Sequence, residues 1–161
     1  MNLEQQKQAA AILALNRVRV QTMDGLPEDA RPADETEAYE VQEQLHSLLD
    51  EAGYGKRVGY KIGCTTPVMQ EFLGIANPCA GGVFNTSTNY IATSAQYQNF
   101  SHPGVECEIA AFIGTDLTPA AECGQSVLAI LRRVGVDRVR PAILVLACAA
   151  LERVQYTVAT K

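Results

Sequence analysis

No stretch of this chain is apolar for long enough to cross a bilayer. The longest apolar run, Ala142 to Leu151, is ten residues, half of the roughly 20 that a spanning helix needs. Basic patches are equally scarce. Lys and Arg number 13 against 18 Asp and Glu, giving a net charge of −5 and a pI near 5.0. The only local basic group is Arg132, Arg133, Arg138 and Arg140. With no basic stripe to neutralise phosphates, neither nucleic acid nor an anionic membrane is an expected partner. The five cysteines (Cys64, Cys79, Cys107, Cys123 and Cys148) are odd in number and contain no C-x-x-C spacing. This argues against a secreted disulfide framework and against a zinc knuckle. Residues 1–6 lack the basic n-region of a signal peptide. A cytoplasmic protein with reduced thiols is the expectation. G-x-G-x-x-G, Walker A, G-x-S-x-G and H-E-x-x-H are also missing, which leaves nucleotide binding and serine or zinc hydrolysis without support.

What is present is ordinary globular material, 47% hydrophobic and 19% charged over 161 residues. That length suits one domain, residues 1–161, with a genuine core. Residues 3–20 read as a helix with Ile12, Leu13, Leu15 and Val18 near helical spacing. Asp24-Gly25-Leu26-Pro27 breaks it. Asp34 is placed to cap a second helix with Glu37 as capping-box partner. The apolar stripe of that helix is Ala38, Val41, Leu45 and Leu48, and it ends near Gly53. His46 falls off the stripe, at a position expected to be exposed rather than ligating.

Arg57 to Gly63 reads as a strand, with Val58, Tyr60 and Ile62 on one face and Lys61 on the other between two glycines. Thr66-Pro67 predicts an N-cap and a proline at N1 for a short helix carrying Met69, Phe72 and Leu73 and stopping at Gly74. Asn77 to Gly82 is dense in turn formers and is expected to be a loop. Short strands are predicted at 89–93 and 95–100, a longer one at Val105–Ile113, a turn at 114–117 and a helix at 119–134. The apolar block 141–154 is compatible with a strand or a buried helix.

The most informative pair is Glu106 and Glu108. Side chains alternate along a strand, so both carboxylates share a face, roughly 7 Å apart. Two such charges repel and lose solvation on an apolar strand unless a cation is shared. Hard divalent cations, Mg²⁺ or Mn²⁺, favour carboxylate oxygen. A solvated acidic face is the alternative. Lys61 is the second candidate. Gly59 and Gly63 leave room for a ligand beside it, and an ammonium there can hold an anion or relay a proton, though an exposed edge lysine would read the same way. Cys79 sits in the Pro/Gly-rich loop, but no Cys–His–Asx pattern makes it a nucleophile. His102, just before Pro103-Gly104, is either a turn residue or a neighbour of the carboxylates.

Glu40-Val41-Gln42, Gly59-Tyr60-Lys61-Ile62-Gly63-Cys64-Thr65, Met69-Gln70-Glu71-Phe72-Leu73-Gly74 and Pro103-Gly104-Val105-Glu106-Cys107-Glu108-Ile109 together resemble one family. It is the 2-keto-4-pentenoate hydratase and 4-oxalocrotonate decarboxylase branch of the fumarylacetoacetate hydrolase superfamily, matched in order over roughly residues 35–118. The resemblance implies an α+β fold, with N-terminal helices and a mixed, rolled β-sheet. On this reading residues 1–55 form the helical part, 56–118 the sheet and metal-site part, and 119–161 a divergent tail. It implies Mg²⁺ or Mn²⁺ held by Glu106 and Glu108, Lys61 as the active-site lysine, and Lys61 with Cys79 against the substrate.

The implied activity is that of a lyase of aromatic catabolism, adding water to a 2-hydroxy-2,4-dienoate. A decarboxylase would use the same stabilised enolate to lose CO₂ instead. A small 2-oxo or 2-hydroxydienoate acid is the implied partner, in a homo-oligomer or with a related subunit. Two departures stand out. Cys79 and Ala80 replace an acidic residue and an aromatic. The family's third carboxylate lies in a segment like P-A-I-E-I-V-D, whereas Pro141-Ala142-Ile143 is followed here by Leu144, Val145 and Leu146, and leucine ligates no metal. The sheet is therefore expected to be incomplete at the C-terminus, and a catalytically inactive fragment or partner subunit is the alternative to an active enzyme. C–C bond hydrolysis would need a histidine–glutamate pair before Gly59, where His46 is the only histidine.

Overall fold

A computed structural model describes residues 1–89, 94–113 and 136–147. The elements are helices α1 (Leu3–Val18), α2 (Glu35–Leu49) and α3 (Pro67–Leu73), and strands β1 (Arg57–Gly63), β2 (Cys79–Phe84), β3 (Pro103–Ile113) and β4 (Val136–Ala147). β1 pairs with β2 in one two-stranded sheet and β3 with β4 in another. The chain divides into two compact units, the first containing Met1–Pro103 and the second Gly104–Leu146. The expected helices at the N-terminus and the strands at 57–63 and 105–113 are present. The predicted turn at 114–117 and helix at 119–134 lie outside the described residues, as does most of the predicted strand at 89–93.

In the first unit, α1 begins at a reciprocal capping box. The Asn2 side chain accepts from the Gln5 N–H, and the Gln5 side chain accepts from the Asn2 N–H, so two orphan donors of the first turn are satisfied. Its buried face is Ala9, Ala10, Leu13 and Ala14; of the expected stripe Leu13 is buried and Ile12 packs partly against the core. Leu15 and Val18 are both 48% exposed. Three alanines let α2 approach closely, and α2 supplies the bulk with Val41, Leu45 and Leu49 at i, i+4, i+8. Leu49, not Leu48, completes that stripe. Leu26, Ala30 and Phe84 close the core. Burial of side chains such as Val41, Leu49 and Phe84 stabilises by about 1.5–3 kcal/mol each.

Asp34 caps α2 as expected, accepting from the Glu37 N–H at 2.9 Å. The return bond differs: the Glu37 carboxylate takes the N–H of Ala33, one residue further back, at 2.7 Å. A wide turn at Asp50–Tyr54, left-handed at Gly53 (φ 92°), carries the chain into β1.

β2 corrects the expected loop at 77–82. Its register runs Gly63↔Cys79, Ile62↔Ala80, Lys61↔Gly81, Tyr60↔Gly82, with an irregularity between Arg57 and Gly59. The glycines that looked like turn formers, Gly81 and Gly82, are ladder positions, and at Gly82 the His46 ring and Arg57 approach closely. The outer edge of β2 is covered by side chains of α2. Tyr39 Oη accepts from the Ala80 N–H at 3.0 Å, and Gln42 Nε2 donates to the Ala80 carbonyl at 3.0 Å. These bonds satisfy an edge that would otherwise template pairing. α3 is built as its ends predict, with Thr66 accepting from the Met69 N–H, Pro67 at N1 and left-handed Gly74 stopping the helix. Residues 97–99 form a single 3₁₀ turn, not the strand expected at 95–100. In the second unit, β4 shows that the apolar block is extended through Ala147.

Candidate functional site

Lys61 stands on a face where its nearest ladder neighbours are glycines. Its strand neighbours on that face are Gly59 and Gly63, and its cross-strand partner is Gly81. A Cβ added at Gly59 would meet nothing within 4 Å, so the space beside the lysine is open. β1 alternates half-buried and exposed positions, with Arg57, Gly59, Lys61 and Gly63 the half-buried set. The apolar set is therefore the exposed one: Val58, Tyr60 and Ile62 are 51%, 62% and 60% exposed. Cys79 pairs with Gly63, which places it on the Lys61 face one diagonal step from the lysine, a separation of roughly 7–8 Å. Sequence and structure thus bring Lys61 and Cys79 onto one surface, and the structure adds Gly81.

Glu106 and Glu108 lie on β3 in the second unit, two residues apart and so on one face. Glu106 is exposed and Glu108 half-buried. Lys61, Glu106 and Glu108 each have an interaction partner. Two carboxylates are suitable hard-oxygen donors for Mg²⁺ or Mn²⁺, with water or substrate completing the shell. Among the described residues no three His, Cys, Asp or Glu side chains converge, so the fit is that of a partial ligand set. His102 is exposed and lines an open cavity of about 600 Å³ with Val20, Gln21, Thr22 and Ser101.

The residue that sequence reasoning misplaced is His46. It is 9% exposed, with its ring edge-on to Phe84 at 5.6 Å. Arg57 Nη1 donates to His46 Nδ1 at 2.8 Å and to Glu43 Oε1 at 2.5 Å. Because Nδ1 accepts, the neutral ring carries its proton on Nε2. Burial, reinforced by the Arg57 charge and opposed by Glu43, holds the histidine below its ordinary value. The hydrogen bond from Arg57 likewise lowers Glu43. Gly82 makes this possible, since a Cβ there would lie 2.7 Å from His46 Nε2 and 3.1 Å from Arg57 Cδ. The signal was legible only as a Gly-Gly pair of unknown purpose. Arg57 also stacks over Tyr60 at 4.9 Å, so the cluster anchors the start of the strand that carries Lys61.

No family model matches the chain. It is 35% identical over 98 residues to a 2-keto-4-pentenoate hydratase of Paraburkholderia phymatum, covering 61% of this chain and 37% of that protein. It is 34% identical over 85 residues to one of Burkholderia vietnamiensis, covering 53% and 32%. The fold is that of 4-oxalocrotonate decarboxylase from Pseudomonas putida G7. The form complexed with magnesium and adipate matches with a TM-score of 0.77 at 22% identity, over 91% of this chain and 53% of that one. The form with calcium and acetate matches with a TM-score of 0.79 at 21% identity, over 98% and 59%. The chain is thus similar to 2-keto-4-pentenoate hydratases over part of its length and has an α+β fold like that of 4-oxalocrotonate decarboxylase. It spans about a third of the length of the hydratases and little more than half of the decarboxylase.

Proposed function

We propose that this chain belongs to a divalent-metal-dependent lyase that adds water to a 2-hydroxy-2,4-dienoate in the cytoplasm. The observation that carries the reading is the sequence similarity to 2-keto-4-pentenoate hydratases over 98 residues. Glu106 and Glu108 hold the cation, Mg²⁺ or Mn²⁺, through one strand face. When bound, such a cation supplies Lewis-acid polarisation of the 2-oxo acid. Lys61 offers its ammonium to the substrate carboxylate or relays a proton across the glycine-lined surface, and Cys79 borders the same surface. The two-stranded sheets are parts of a rolled, mixed sheet of the fumarylacetoacetate hydrolase type. Further chain, from a second copy or a related subunit, completes it.

The test follows consumption of 2-hydroxypenta-2,4-dienoate with Mg²⁺ or Mn²⁺, repeated with Glu106→Ala and after metal removal. Metal-dependent turnover that falls on the order of 10²-fold in the variant supports the reading. Equal rates in the two proteins remove the metal assignment, and no turnover with either ion removes the hydratase. The likeness to 4-oxalocrotonate decarboxylase favours a second reading, loss of CO₂ from a 2-oxo dicarboxylic acid, which CO₂ release in the same assay would select.

A further inference from the structure

Two cysteines that the sequence separates by fifteen positions meet at the end of the β1–β2 ribbon. Cys79 Sγ lies 3.7 Å from Cys64 Sγ and donates its S–H to it. Both residues are half-buried. Three features hold the pair. Gly63 stands opposite Cys79 in the ladder, and the Cys79 sulfur lies in ordinary contact with the Gly63 Cβ position, at 3.5 Å. Cys64 adopts a left-handed backbone (φ 56°), a conformation uncommon for a residue other than glycine, which turns the chain at the strand end. Gln70 Nε2 donates to the Cys64 carbonyl at 2.8 Å, fixing that turn from α3.

We propose that Cys64 and Cys79 form an oxidisable dithiol, a covalent modification site for a hydroperoxide beside the Lys61 surface. Closing a disulfide requires the sulfurs to approach from 3.7 Å to about 2.0 Å, a movement within the reach of side-chain rotation. Burial and the hydrogen bond to Cys64 push the Cys79 thiol up to about 11, which leaves Cys79 protonated and gives it the second, resolving step. Cys64 sulfur takes one oxygen of the peroxide, forming a sulfenic acid and releasing water (or the alcohol of an organic hydroperoxide). Cys79 sulfur then displaces the hydroxyl from Cys64, forming the S–S bond and releasing a second water. Two thiols are oxidised by two electrons and one O–O bond is reduced. A small dithiol reverses the step by exchange. The closed bond ties the residue after β1, Cys64, three positions past Lys61, to the start of β2, and lays sulfur over the Gly63 side of the patch. This does not depend on the lyase reading, since it needs only the pair and a peroxide.

The experiment treats the full chain with one equivalent of hydrogen peroxide, quenches, and counts thiols under denaturing conditions with peptide mapping. The expected result is loss of two of the five thiols, a Cys64–Cys79 linked peptide in monomeric protein, and full return with dithiothreitol. Cys64→Ser and Cys79→Ser each abolish that link. Retention of all five thiols, or linkage through Cys107, Cys123 or Cys148 instead, overturns it.

Discussion

The two ends of the β1–β2 ribbon have opposite fates. At one end, Phe84 is 1% exposed, with Leu49 and Val41 in the same core and His46 edge-on to it. At the other, Tyr60 and Ile62 on β1 and Phe72 on α3 are 62%, 60% and 81% exposed. Residues of the same chemical type are core in one place and surface in the other. Alternation along a strand says which side chains share a face, but not which face meets another layer. α2 supplies that layer at the Phe84 end, through Val41, Leu49 and His46, while Tyr60 and Ile62 stay exposed.

The largest expected contrast is between Phe84→Ala and Ile62→Ala. The first empties a fully buried site and should cost about 3–5 kcal/mol. The second removes an exposed side chain and should cost under about 1 kcal/mol. Urea denaturation of both variants measures the gap, and similar costs would mean that the bare face is covered in solution. A finer contrast lies between two glycines. Gly82→Ala drives a methyl into His46 and Arg57 and should cost about 1–3 kcal/mol. Gly59→Ala meets open space and should leave the denaturation midpoint nearly unchanged.

The smallest effect is the pH response of the packed end. His46 is lowered chiefly by burial, so the unfolded chain binds its proton more readily than the fold does. Its contribution is complete above the ordinary histidine value of 6.5 and is lost as pH falls through that value toward the lowered one. Glu43, held low by Arg57, adds stability above the ordinary carboxylate value of 4.5 that is likewise lost on acidification. Denaturation midpoints should therefore fall from about pH 7 to pH 5, and the His46 ring should titrate below 6.5 by NMR. A His46 that titrates at or above 6.5 contradicts the burial described here.

Local signals were the legible ones. Asp34, Thr66-Pro67 and Gly74 announced the ends of α2 and α3, because caps and left-handed stops depend on residues within one turn. The E-x-E spacing and the lysine between glycines were likewise readable as strand positions. Two features needed distant partners. His46 looked exposed because the Gly82 that makes room for its ring is 36 residues away, and the Asn77–Gly82 segment looked like a loop because its pairing partner, β1, is chosen by tertiary contact.

By itself the sequence determined the helices of the first unit and the caps of α2 and α3, the shared face of Glu106 and Glu108, and the glycine-flanked position of Lys61, all set by periodicity and local sterics. Only the tertiary structure decided that Ala9, Ala10 and Ala14 join Leu13 on the buried face of α1, that His46 lies within the packed end, that Gly81 bares the third side of Lys61, and that Cys64 meets Cys79. Each of those depends on which residues a folded chain brings opposite one another, and short-range propensity carries no record of that.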